Sequence, residues 1–116
     1  MKSKNLTENV FRYVLQVPEQ DFAHLTIKML ADRFDVSRGH ISRTFRIECK
    51  MTLATFIHRQ KLLRAEHWLL EDRSLTVKDL SSRMGYADYK YFISRFKEHW
   101  GESPGRYRKL IGDLSE

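Results

Sequence analysis

The segment from Thr26 to Lys50 returns in altered form from Thr76 to Gly101, and no other feature of the chain constrains its fold as tightly. Thr26, Ile27, Leu30 and Ala31 match Thr76, Val77, Leu80 and Ser81 at an offset of 50; Ile41, Phe45 and Arg46 match Phe92, Phe96 and Lys97 at an offset of 51. The extra residue falls between two short periodic stretches, where a turn absorbs an insertion at little cost. Apolar residues spaced by three and four make each stretch a helix. Each copy therefore reads as helix, tight turn, helix, with Ala31 or Ser81 kept small where the two helices approach closely.

The rest of the chain follows the same period. With only 5 Gly and 2 Pro and no low-complexity segment, helices are expected throughout. Thr26, Ser37, Thr52, Thr76, Asp88 and Ser103 each stand in front of a helical pattern, and each can accept a hydrogen bond from an unpaired amide of the first turn. Pro104 suits a first helical position. An opening helix is predicted from Leu6 to Val17, with Leu6, Val10, Phe11, Val14 and Val17 on one face and Pro18 as its stop. The expected architecture is all-α: one module over 1–116, with a first helix-turn-helix subdomain at 6–50, a linker helix at 52–71 and a second subdomain at 76–111.

Charge is distributed unevenly over this frame. The net charge is +6, but residues 37–64 carry seven Lys or Arg against Glu48 alone, and residues 89–109 carry six against Glu98 and Glu102, so the remainder is acidic. Two basic stretches separated in this way suit a polyanion better than a small acidic ligand. The single cysteine, Cys49, excludes an internal disulfide and any Cys-x-x-Cys metal or redox motif. The N-terminus lacks the apolar run of a signal peptide and no segment is long enough to span a bilayer, so a cytoplasmic protein with no membrane partner is expected.

Where the second helix of each copy turns its apolar side inward, the opposite side is fixed at about 100° per residue. In the first copy Ile41 and Phe45 point in, leaving Gly39, Ser42, Arg43 and Arg46 as an outward stripe with no large apolar residue, flanked by Arg38 and His40. In the second, Phe92 and Phe96 point in and Lys90, Ile93, Ser94 and Lys97 point out, with Tyr89 beside them. Such a stripe fits the major groove of double-stranded DNA, where arginine and serine reach base edges and lysine reaches phosphate. A helix of 20 residues between the copies spans roughly 30 Å, close to the roughly 34 Å of one duplex turn, so the two stripes suit successive major grooves of an asymmetric site.

These residues carry a resemblance to the DNA-binding domain of AraC/XylS-type bacterial regulators. Gly85, Tyr91, Phe92, Phe96, Lys97, Gly101, Ser103, Pro104, Tyr107 and Arg108 stand at that family's signature spacings, with Leu30, Ala31, Ser37, Phe45, Phe56, Ala65 and Leu69 in the first half. The match covers roughly Thr7 to Leu110. The resemblance implies seven helices, monomeric binding to promoter DNA, and activation of transcription through contact with RNA polymerase. The sequence departs from the pattern at Lys50, where glycine is usual, at Lys61, where arginine is usual, and at Asp35, which matches Gly85. The family's effector-sensing domain is missing, which fits either a short stand-alone member or a domain excised from a longer regulator.

Other readings are open on the residues alone. A helical module binding an acidic protein, or a nonspecific nucleoid or RNA binder, also has basic faces. An enzyme is disfavoured because no glycine-rich phosphate loop, serine-histidine-acid set or paired carboxylates can be assembled, and no catalytic residue or cofactor is expected. Phe45, Phe92, Phe96, Trp68 and Trp100 at helical spacing read as core rather than as stacking platforms. The five histidines show no metal-ligand spacing. Arg59, Lys61 and Arg64 read equally as phosphate contacts or as solvated charges, and Cys49 as a small buried hydrophobe rather than a redox sensor.

Overall fold

The computed structural model describes the backbone of residues 2–115 and the side chains of residues 5–112. Eight helices and no strands are found among the described residues: α1 (Lys2–Gln16), α2 (Glu19–Phe22), α3 (Ile27–Arg33), α4 (Arg38–Cys49), α5 (Leu53–Glu71), α6 (Val77–Arg83), α7 (Tyr89–Trp100) and α8 (Pro104–Ser115). The chain divides into two compact units, Met1–Gln60 and Lys61–Glu116, with the boundary inside α5. The eighth helix, beyond the seven implied by resemblance, is the single turn α2. Extended Pro18 starts it, and Phe22 is fully buried from it.

Five of the six expected caps are made through side chains. The amides of Met29, His40, Thr55 and Asp79 donate to the hydroxyls of Thr26, Ser37, Thr52 and Thr76 at 3.0–3.1 Å, and the Lys90 amide donates to the Asp88 carboxylate at 2.9 Å. Each satisfies a donor that the first helical turn leaves unpaired. Ser103 stands before α8, its carbonyl accepting from the Tyr107 amide at 2.8 Å.

The repeat is exact at the level of backbone bonds. The Val36 amide donates to the Ala31 carbonyl at 3.0 Å, and the Tyr86 amide to the Ser81 carbonyl at 3.0 Å. Between them Asp35 and Gly85 take positive φ, 54° and 88°, which turns the chain from one helix into the next. Ala31 and Ser81 are 2% and 1% exposed, so neither position has room for a longer side chain.

In the first unit Val10 and Val14 of α1 and Val17 just after it join Leu30, Ile41, Phe45 and Phe56 in the core. Phe11 closes the cluster, its ring centroid 4.5 Å from that of Phe56, with Phe45 and Phe56 at 5.3 Å. In the second unit Phe96 is the centre, with Phe92, Trp100 and Tyr107 rings at 5.9, 6.2 and 5.5 Å. The Trp100 indole N–H donates to the Leu62 carbonyl at 3.3 Å.

Both α4 and α7 end on a left-handed residue, Lys50 at φ 59° and Gly101 at φ 90°, whose amides donate to the Arg46 and Lys97 carbonyls at 2.9 and 2.7 Å. Glycine accepts this conformation freely, whereas a side chain costs about 1 kcal/mol. Lys50→Gly removes that strain, partly offset by greater freedom in the unfolded chain. A small rise in Tm is expected in thermal denaturation followed by circular dichroism, and a fall of several degrees would contradict the left-handed assignment.

Candidate nucleic-acid interface

The Ser37 cap sets the first turn of α4, and Ile41 and Phe45, each 1% exposed, fix its rotation. Gly39, Arg43 and Arg46 are then exposed and Ser42 half-buried, with Arg38 and His40 exposed beside them. Gly39, Ser42, Arg43 and Arg46 also line a shallow depression of about 350 Å³ whose other side includes Thr52, Leu53 and Ala54 at the start of α5. A Cβ built on Gly39 would meet only the Arg43 guanidinium, at 4.0 Å, so glycine there leaves open surface rather than relieving a clash.

The same construction in α7, capped by Asp88 and rotated by buried Phe92 and Phe96, leaves Lys90, Ser94 and Lys97 exposed and Ile93 half-buried. Tyr89 is exposed, and the Lys78 ammonium lies 5.1 Å from its ring centroid. All eleven residues singled out in the sequence thus fall outside the two cores, six on α4 and five on α7.

One residue was missed. Ile47 is 68% exposed and lies on the outward side of α4, about 40° around the axis from Arg43. The stripe therefore does contain a large apolar residue, contrary to the sequence expectation. The helical period alone places it there, but an isoleucine in an apolar-periodic stretch is readily assigned to the core. The matching residue on α7 is Glu98, held by Arg95 at 3.3 Å.

Several cations counted in the basic stretches have structural partners. The Arg108 guanidinium donates to the carbonyls of Leu69 and Asp72 at 2.9 and 3.1 Å, at the end of α5 where carbonyls lack helical partners and the dipole favours a cation. The adjacent Tyr107 hydroxyl donates to Glu66 at 2.7 Å, and burial together with that carboxylate pushes the phenol up to about 12. Arg106 pairs with Glu102 at 3.2 Å. Lys61 is 7% exposed, its ammonium 5.6 Å from the Tyr86 ring centroid, and burial pulls its pKa down. Neither the solvated nor the phosphate-contact reading fits Lys61. Arg59 is exposed. Burial, and secondarily Glu48, push the half-buried Cys49 thiol up, away from the reactive thiolate.

Two capped helix pairs, each with its second helix presenting a polar and basic face, define a tandem helix-turn-helix domain. The family model described as a helix-turn-helix domain matches residues 30–110. The chain belongs to the AraC-type family of DNA-binding transcription regulators. It is 28% identical over 103 residues to the Msm operon regulatory protein of Streptococcus mutans, covering 85% of this chain and 37% of that protein. Among solved structures it is similar to the C-terminal domain of AraT, a response regulator from Geobacillus stearothermophilus, with TM-score 0.76, 25% identity, and coverage of 90% of this chain and 84% of that one. The DNA-binding domain of AdpA, a global transcriptional factor solved in complex with a target DNA, shares the fold at TM-score 0.73 and 22% identity over 90% of each chain. The family signature thereby acquires physical reasons: Gly85 turns the chain, Gly101 ends α7, Pro104 starts α8, and Tyr107 and Arg108 tie α8 to α5.

Arg108→Ala leaves two helix-terminal carbonyls without their charged donor and is expected to cost about 2 kcal/mol of stability. Lys109→Ala, at an exposed neighbour, is expected to leave Tm unchanged. Equal melting of the two variants would show that the Arg108 contacts contribute nothing.

Proposed function

We propose that this chain is the DNA-binding domain of a bacterial transcription regulator, reading an asymmetric double-stranded promoter site with α4 and α7 in successive major grooves. The observation that carries the reading is the outward face of α4, where Gly39, Ser42, Arg43 and Arg46 lie exposed or half-buried opposite Ile41 and Phe45 in the core. In this reading 6–50 and 76–111 act as two recognition subdomains joined through 52–71. Arg38, His40, Tyr89, Lys90 and Lys97 position the protein on phosphates. Ser42, Arg43, Arg46, Ile93 and Ser94 face base edges, and Gly39 admits the backbone closely. The domain acts as a monomer in the cytoplasm, without catalysis or cofactor, and activates transcription by contact with RNA polymerase. Family membership supports these last assignments. Among the described residues, no helix is long and apolar enough to cross a membrane.

The electrostatic part of the reading sets a salt dependence. If about six phosphates are neutralised, log K falls with log[salt] at a slope of roughly −5. A slope near zero in a binding titration would remove the DNA reading.

The two heads differ in chemistry. Arg43 can bond guanine O6 and N7 together, whereas its counterpart on α7 is the short Ser94. Selection of bound sequences from a random duplex library gives the preferred site and tests the division. Arg43→Ala is expected to cost roughly 1–3 kcal/mol there and to relax one base preference; Ser94→Ala is expected to change specificity little. Lys97→Ala should weaken all sequences alike and flatten the salt slope by about one unit. Intact preferences in Arg43→Ala, with a half-site erased in Ser94→Ala, would reverse the assignment.

A further inference from the structure

We propose that Ile47 reads a thymine by its C5-methyl group, about two base pairs from the base read by Arg43, so that the first head combines a charged and an apolar contact on one helix. The inference rests on the DNA-binding reading above. Ile47 is the most exposed large hydrophobic side chain among the described residues, at 68%. It stands one turn beyond Arg43 on the same side of α4, with exposed Arg46 and Lys50 beside it. An apolar side chain held in water among cations gains nothing within this unit, whose core is completed by Ile41, Phe45 and Phe56 without it.

The major groove offers one apolar group for such a residue, the thymine methyl. Four residues of helix advance about 6 Å, so a helix lying along the groove sets Ile47 about two base steps from the base beneath Arg43. The second head has no equivalent. Its matching residue is Glu98, a carboxylate engaged by Arg95. Ile93, the apolar residue on the α7 stripe, is half-buried and matches Ser42 instead.

The test replaces each thymine of the selected duplex site by deoxyuridine, which deletes the methyl and keeps the Watson–Crick edge. Binding of the 116-residue chain is then compared with Ile47→Ala, Ile47→Val and Ile93→Ala. At one thymine, about two base pairs from the guanine whose preference is lost in Arg43→Ala, methyl deletion is expected to weaken the unsubstituted protein about four- to tenfold. Ile47→Ala is expected to bind both duplexes equally, while Ile47→Val and Ile93→Ala retain the sensitivity at that position. Because Ile47 is exposed, its variants should melt with the parent protein, and a matched Tm separates a lost contact from a lost fold. A methyl effect that persists in Ile47→Ala, or no methyl effect at any thymine of the first half-site, overturns the role of Ile47 while the parent protein's binding to the intact site leaves the DNA reading standing. Failure of the parent protein to prefer any site over random duplex overturns both.

Discussion

The bond from the Val36 amide to the Ala31 carbonyl, repeated from Tyr86 to Ser81, is the constraint on which the rest depends. It closes the turn between two helices and holds them at a fixed mutual angle. Everything outward on α4 and α7 is outward because that angle, with α1 and α5 packed on the first pair and α8 on the second, buries Ile41 and Phe45, or Phe92 and Phe96. The turn asks little of the sequence: a small residue at 31 and 81, a residue tolerating positive φ at 35 and 85, and a cap at 37 and 88. The aspartate at 35 meets the second demand because short polar side chains enter the left-handed region more readily than others.

Charge in this domain serves two purposes that composition does not separate. Arg108 completes a helix end, Arg106 and Arg95 hold carboxylates, and Lys61 is buried beside an aromatic ring. Arg38, Arg43, Arg46, Lys90 and Lys97 are exposed on or beside the outward faces of α4 and α7. A long-range field depends on net charge, whereas in the proposed reading a grip on a duplex falls to the second group. The residues from 89 to 109 therefore contribute less to an interface than their formal charge suggests.

The repeat and its caps were legible because they are local. A threonine, serine or aspartate directly before a helical stripe is a physical requirement written in adjacent residues, and the helix starts follow from it. Arg108 and Lys61 were not legible, since their partners lie 36 or 39 residues away for Arg108 and 25 for Lys61, and only the packed unit brings them together. The turn α2 is not legible in the sequence because four residues show no period. Ile47 is a different case, since its outward position is local. The rotation of α4 that Ile41 and Phe45 fix sets it about 40° from Arg43, so angle rather than residue type decides its exposure.

Ile41, Phe45, Phe92 and Phe96 face inward and the candidate contacts face outward, so in this fold the determinants of folding and the proposed determinants of recognition occupy opposite sides of the same two helices. A substitution at Ser42 or Ser94 alters what is presented without disturbing what is packed. Duplicated motifs built this way can diverge in one copy while the other keeps its hold on the target, and the lineage passes through intermediates that still fold. The unlike outward faces of α4 and α7, on backbones bonded alike, are the expected outcome of such drift.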